Sequence, residues 1–235
     1  MSPNALLSVS GLSKRFGAYR ALDGLSLEVA AGEILGLVGP NGSGKTTAIN
    51  VISGVYAADA GTIRFDGRPV GGLPIHRRAR LGINRTFQVP KPFRSLTVTE
   101  NLEVASAHSR SGDNQIRECL ELLALDSVAG REAASLTSAQ QKRLDLARAL
   151  VARPRLLLVD EIGAGLNPAE LQLMAQTLLA IAGSGVALLV VEHLLGFLRA
   201  VASRVVVMDA GREIFEGPLD LAARDPQVID VFLGR

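Results

Sequence analysis

The run Gly39-Pro40-Asn41-Gly42-Ser43-Gly44-Lys45-Thr46-Thr47 spaces its residues as G-x-x-x-x-G-K-[ST]. Glycines in that pattern let successive main-chain N–H groups converge on phosphate oxygens. A helix starting at Thr46 adds the positive end of its dipole. Lys45 would neutralise charge on β- and γ-phosphates, and the Thr46 hydroxyl would ligate Mg²⁺. The chemistry implied is that of a nucleoside triphosphate. A second acidic site follows Leu156-Leu157-Leu158-Val159, where Asp160 can hold Mg²⁺ through water and Glu161 can polarise an attacking water as general base.

Such groups must be presented by strand ends. The continuous apolar runs Ile34–Val38, Leu156–Val159, Val186–Val191 and Val205–Met208 suit parallel strands covered on both faces. Residues 5–10, 23–29 and 62–65 read as further short strands, with Asp66-Gly67 as a hairpin turn. A helix is expected over Thr46–Ser53, ended by Gly54. Thr97-Val98-Thr99-Glu100 is a capping box that opens another, Asp113-Asn114 opens a third, and a fourth runs from near Thr137 to Val151 before Pro154. The expectation is a mostly parallel α/β core (about 1–88 and 154–235) carrying a helical insert (about 89–153), all within a single domain.

Length and composition narrow the classes. The chain has 235 residues, 48% of them hydrophobic, enough for a substantial core and against wholesale disorder. Charges nearly balance at a formal +2, and the densest basic stretch, Arg77-Arg78-Ala79-Arg80, is too short for a nucleic-acid face, so no nucleic-acid partner is expected. The lone Cys119 excludes an internal disulfide and a multi-cysteine zinc site; flanking leucines make it a core residue. No signal-peptide pattern is expected at the N-terminus, and the longest apolar run of the C-terminal half is far short of the ~20 residues of a spanning helix. A membrane role would therefore depend on another chain. The guanine-reading Asn-Lys-x-Asp pattern is absent, which weighs against a GTPase, and so is an arginine-rich nucleotide-kinase lid.

At Ser135-Leu136-Thr137-Ser138-Ala139-Gln140-Gln141-Lys142-Arg143-Leu144 the pattern becomes specific: the chain resembles the ATP-binding subunit of an ABC (ATP-binding cassette) transporter over essentially its whole length. The resemblance implies a P-loop NTPase ABC cassette with an N-terminal antiparallel β-subdomain and a helical subdomain. It implies ATP and Mg²⁺ as ligands, with ATP hydrolysis coupled to transport. It gives Phe16 the adenine-stacking role and makes Gln88 a glutamine that reaches Mg²⁺ or the lytic water. Gly165-Leu166-Asn167-Pro168 matches the dimer-contacting loop, although Asn167, Pro168 and Glu170 equally spell a helix cap. His193 takes the position of the switch histidine. Thr137, Ser138, Ala139 and Gln140 stand where Leu-Ser-Gly-Gly-Gln covers the nucleotide of a second ATP-binding subunit.

Within the family, Ile75 to Phe93, Ala164 to Pro168 and Asp225 to Gly234 are most similar to branched-chain amino acid importers, and to related amide and urea importers. The implied partners are transmembrane permease subunits, a second ATP-binding subunit in a homo- or heterodimer and, indirectly, an extracytoplasmic substrate-binding protein. The implied location is peripheral, on the cytoplasmic face of the inner membrane. Departures are Ser138 and Ala139 for the two glycines and Ile162 for a proline after the acidic pair. A Cβ at 139 would crowd an approaching phosphate and forbid an easy positive φ. Two rival expectations follow: a soluble scaffold ATPase of the same fold, and a regulatory subunit that binds ATP but hardly hydrolyses it.

Overall fold

The computed structural model describes residues 5–107 and 113–233. The chain opens with a long hairpin, β1 (Ala5–Phe16) and β2 (Tyr19–Ala30), followed by β3 (Ile34–Val38) and α1 (Lys45–Ser53). Next come β4 (Ala60–Phe65), β5 (Arg68–Pro69), α2 (Ile75–Leu81) and β6 (Ile83–Arg85). Helices α3 (Val98–Ser106), α4 (Asp113–Leu122) and α5 (Ser138–Leu150) precede β7 (Leu156–Asp160). The remainder alternates α6 (Pro168–Gly183), β8 (Ala187–Val191), α7 (Leu195–Val201), β9 (Arg204–Asp209), β10 (Arg212–Gly217), α8 (Leu219–Ala222) and α9 (Pro226–Leu233).

Two sheets result. The antiparallel one has the order β2-β1-β4-β5, and the six-stranded one the order β10-β9-β3-β8-β7-β6, parallel except for β10. The apolar runs are continuous because alternate residues feed two cores. Ile34, Val38, Leu157, Val159, Leu188 and Val190 pack on one face with α3 to α7. Leu35, Leu37, Leu156, Leu158, Leu189 and Val191 pack on the other with α1 and the antiparallel sheet. This sandwiching leaves the carboxyl ends of β3, β7 and β8 as the edge on which loops can present chemistry.

Local signals act where expected. Asp66 and Gly67, at φ 52° and 72°, turn β4 into β5, so that Phe65 pairs with Arg68. Gly54 caps α1 in the left-handed region, and Thr97 and Glu100 close a reciprocal capping box on α3. The hairpin strands run past the expected 5–10 and 23–29 because register shifts in β1 carry the pairing on to Phe16↔Tyr19. Helix α2, strand β6 and helices α8 and α9 carry signals too short for sequence periodicity to separate. Among the described helices, none is long and apolar enough to cross a membrane.

Candidate nucleotide site

The phosphate loop leaves β3 and enters α1 through backbone that only glycine can follow. Gly39 (φ 150°) would place a Cβ 2.2 Å from the Met208 carbonyl oxygen, and Gly44 (φ 104°) one 2.4 Å from that of Ala21. Gly44 is the helix N-cap and no side chain caps α1 there. The helix start is thus left to whatever accepts hydrogen bonds outside it. Lys45 is buried, and its Nζ donates to the carbonyls of Gly39 (2.8 Å) and Pro40 (2.9 Å). Burial lowers its pKa, opposed by the charges of Glu161 and Asp160. Thr46 is exposed and Thr47 half-buried on the first turn, while Asn41 and Gly42 form the exposed crest. The Gly42 carbonyl accepts from the Tyr19 hydroxyl at 3.1 Å.

That bond sets the β1–β2 turn beside the loop. Phe16, at the end of β1, is 43% exposed, and Tyr56 meets it edge-on at 5.2 Å between centroids. The pair offers a flat apolar ring face next to the phosphate loop.

At the end of β7, Asp160 is 2% exposed. Its Oδ2 lies 3.7 Å from Arg85 Nη2, and its Oδ1 is buried without a hydrogen-bond partner. Desolvation raises its pKa, while Arg85 pulls it back down. Arg85 is itself fixed by Asn50 Oδ1 at 2.6 Å. An orphaned, buried carboxylate oxygen at the end of β7 and an exposed threonine hydroxyl on the first turn of α1 are donors of the kind a hydrated divalent cation takes, so Asp160 and Thr46 fit Mg²⁺.

Glu161 follows in a left-handed conformation (φ 49°), which aims its carboxylate out of the sheet edge. Gln88 Nε2 donates to its Oε2 at 2.6 Å, and His193 Nε2 meets its Oε1 at 2.5 Å. Two residues, 73 and 32 positions away in the chain, thus converge on the Glu161 carboxylate.

Thr137, Ser138, Ala139 and Gln140 stand apart from this cluster. Thr137 Oγ1 accepts from the Gln140 amide (3.2 Å) and Gln140 Oε1 from the Thr137 amide (3.0 Å), a reciprocal cap on α5. Among the described residues, no hydrogen bond joins them to the phosphate loop. Ser138 is exposed, but Ala139 is 7% exposed within right-handed helix. In the single chain the Ala139 methyl is buried and its backbone has no positive φ. Asn167 and Glu170 form the same kind of box on α6, with Pro168 in its first turn. Ile162 is buried.

Several contributors escape sequence reasoning. Arg78, part of the basic stretch, is 1% exposed and donates to the carbonyls of Val51, Ile52, Leu73 and Gly71, tying off the end of α1. Asp145 Oδ2 accepts from the Phe87 amide at 2.8 Å and so fixes the segment that carries Gln88. Lys142 and Glu192 grip the chain just after Glu161.

The sequence has close relatives. The ABC transporter family matches residues 22–164. The probable branched-chain amino acid transport ATP-binding protein LivG of Archaeoglobus fulgidus is 38% identical, over 97% of this chain and 95% of that one. The high-affinity branched-chain amino acid transport ATP-binding protein BraF of Pseudomonas aeruginosa is 35% identical, over 97% and 98%. Among solved structures, a nucleotide-free ATP-binding cassette superposes with a TM-score of 0.90 at 29% identity, covering 98% of this chain and all of that one. A cassette in its ADP conformation gives 0.89 at 30% identity, over 98% and 99%. This chain belongs to the ABC transporter family, as one of its ATP-binding, ATP-hydrolysing cassettes.

Proposed function

We propose that this chain energises an importer for branched-chain amino acids or related amides. It would do so as a peripheral subunit on the cytoplasmic face of the inner membrane. The cargo class rests on the likeness to LivG and BraF across nearly the full chain. The hydrolytic role rests on one observation above the others: Gln88, His193 and the buried Asp160 gather around Glu161 at the carboxyl edge of β7.

In this reading the adenine stacks on Phe16, and the polyphosphate lies along Gly39 to Thr47. Lys45 exchanges the Gly39 and Pro40 carbonyls for phosphate oxygens, a swap that costs little because its ammonium is already desolvated. Thr46, Asp160 and Gln88 would hold Mg²⁺, which supplies charge neutralisation at the β- and γ-phosphates. Glu161 takes the proton of the attacking water. Gln88 and His193, hydrogen-bonded to it beforehand, fix its orientation at little further entropic cost. To donate its ring N–H to the γ-phosphate, His193 would release Glu161 and leave Gln88 to hold the base.

A second ATP-binding subunit would close head to tail, placing its own phosphates at Thr137 to Gln140 of this chain. The capping box takes up the Gln140 amide, so the anion end of α5 is left with the Ser138 and Ala139 N–H groups and the helix dipole. That supports an active partner site over a purely regulatory role. Permease subunits would dock beside Gln88 and the helical segment 89–153, with an extracytoplasmic binding protein delivering cargo to them.

The decisive experiment is Glu161→Gln in the purified chain. Turnover should fall by roughly 10²–10⁴-fold while ATP affinity is kept. Near-normal turnover would remove Glu161 from the base role. Reconstitution with the permease and binding protein should then couple ATP consumption to uptake of a branched-chain amino acid; failure to respond to any such cargo would overturn the substrate class alone.

A further inference from the structure

The segment after Glu161 is held by two buried, oppositely charged side chains from different elements. Lys142, 8% exposed on the inner face of α5, donates from Nζ to the carbonyls of Ala164 (2.5 Å), Ile162 (3.0 Å) and Glu161 itself (3.3 Å). Glu192, 1% exposed and immediately before His193, accepts the Gly163 amide on Oε1 at 2.5 Å and the His193 amide on Oε2 at 3.3 Å. The clamp is close around Gly163: a Cβ there would lie 3.0 Å from Glu192 Oε1 and within 3.2 Å of Leu171 and Leu194 side-chain carbons, so these side chains would have to give way.

Neither charged group faces water, and neither touches the phosphate loop. Their hydrogen-bonding capacity goes into backbone, which is an expensive use of two buried charges unless that backbone must be held in one conformation. The conformation in question is the left-handed Glu161, whose amide is fixed by Val191 at 2.9 Å and whose carbonyl is fixed by Lys142. One turn further along α5, Asp145 fixes the Phe87 amide and with it the start of the Gln88 segment. A single helix therefore holds both loops that meet at the catalytic carboxylate. Its own N-terminus carries Thr137 to Gln140.

We infer that Lys142 and Glu192 are positioning residues for ATP hydrolysis. By clamping residues 161–164 between α5 and the end of β8, they set the Glu161 carboxylate against His193 and make its alignment depend on where α5 sits. A displacement of α5, which any chain contacting its exposed N-terminus could impose, would reach Glu161 through Lys142. This inference rests on the proposed role of Glu161 as base.

The test is the ATPase kinetics of Lys142→Met, which keeps the stem and removes the donors, together with Glu192→Ala and Glu192→Gln. Lys142→Met and Glu192→Ala should lower kcat by roughly 10- to 100-fold, the scale of a misplaced catalytic group, with KM for Mg-ATP within about twofold. Glu192→Gln, which still offers an oxygen to Gly163, should recover most of the rate lost in Glu192→Ala. Lys142→Arg provides a donor-retaining control should Lys142→Met fold poorly, and should outperform it in kcat. The inference fails if Lys142→Met leaves kcat within twofold, if KM rises as much as kcat falls, or if Glu192→Gln is as slow as Glu192→Ala. Glu161→Gln assayed in parallel separates the two levels: if it stays active, the role of Glu161 is wrong. If it is inactive while Lys142→Met is not, only the clamp is wrong.

Discussion

Two helix starts to which the proposed function assigns phosphate are built by opposite means. At α1 the approach is made of glycines whose Cβ positions are occupied by neighbouring backbone, and the helix has no side-chain cap. At α5 the approach is ordinary: Thr137 lies in extended backbone, caps the helix with its own hydroxyl, and is followed by Ser138 and Ala139 in plain helical conformation. The first is a backbone device that cannot be imitated by other residues. The second is a side-chain device that tolerates substitution, because the capping box satisfies the helix end whether or not glycines follow. Departure from a family pattern therefore carries different weight at the two places.

The sharpest attempt to break this contrast is Gly44→Ala. The new methyl would meet the Ala21 carbonyl at 2.4 Å in a backbone region alanine rarely enters, so the loop must move and its amides must diverge. ATP affinity should drop by roughly hundredfold, about 2.7 kcal/mol, as measured by calorimetric titration of the purified chain. Undiminished binding would mean that the glycines are not what builds the cradle.

At the other helix start, Thr137→Ala removes the hydroxyl that accepts the Gln140 amide. Urea unfolding should show a loss of about 1 kcal/mol with an unchanged slope. If stability is instead untouched, the cap is not what holds α5 in place, and the tolerance of Ser138 and Ala139 needs another cause.

The same contrast explains what was legible beforehand. Lys45, Asp160, Glu161 and His193 each stand at the end of an apolar strand or the start of a helix, so short-range pattern located them. The Asp66-Gly67 turn and the boxes at Thr97, Thr137 and Asn167 are likewise contained within a few residues. Lys142, Asp145 and Glu192 were not legible, because the contacts by which they hold the site reach backbone groups 19 to 58 positions away, which leave no trace in residue type. Arg78 misled for the same reason: four carbonyls from two segments bury a side chain that looks like surface charge in the sequence. Strand β6 owes its existence to pairing with β7 rather than to its own three residues. The expected crowding at 139 concerns a second subunit's phosphate, and within the single chain Ala139 is a buried methyl in regular helix.

The smallest effect is the most informative. Ala139→Gly restores the family's residue at a place where this backbone has no use for it. The helix should lose about 0.5–1 kcal/mol through the greater freedom of glycine in the unfolded chain. Turnover of the assembled transporter should stay within about twofold, since no donor is added and no obstruction removed. A several-fold gain in turnover would mean that the partner's phosphates approach closer to residue 139 than its burial allows. The α5 start would then have to reshape when the two subunits close, and its tolerance would belong to the open state alone.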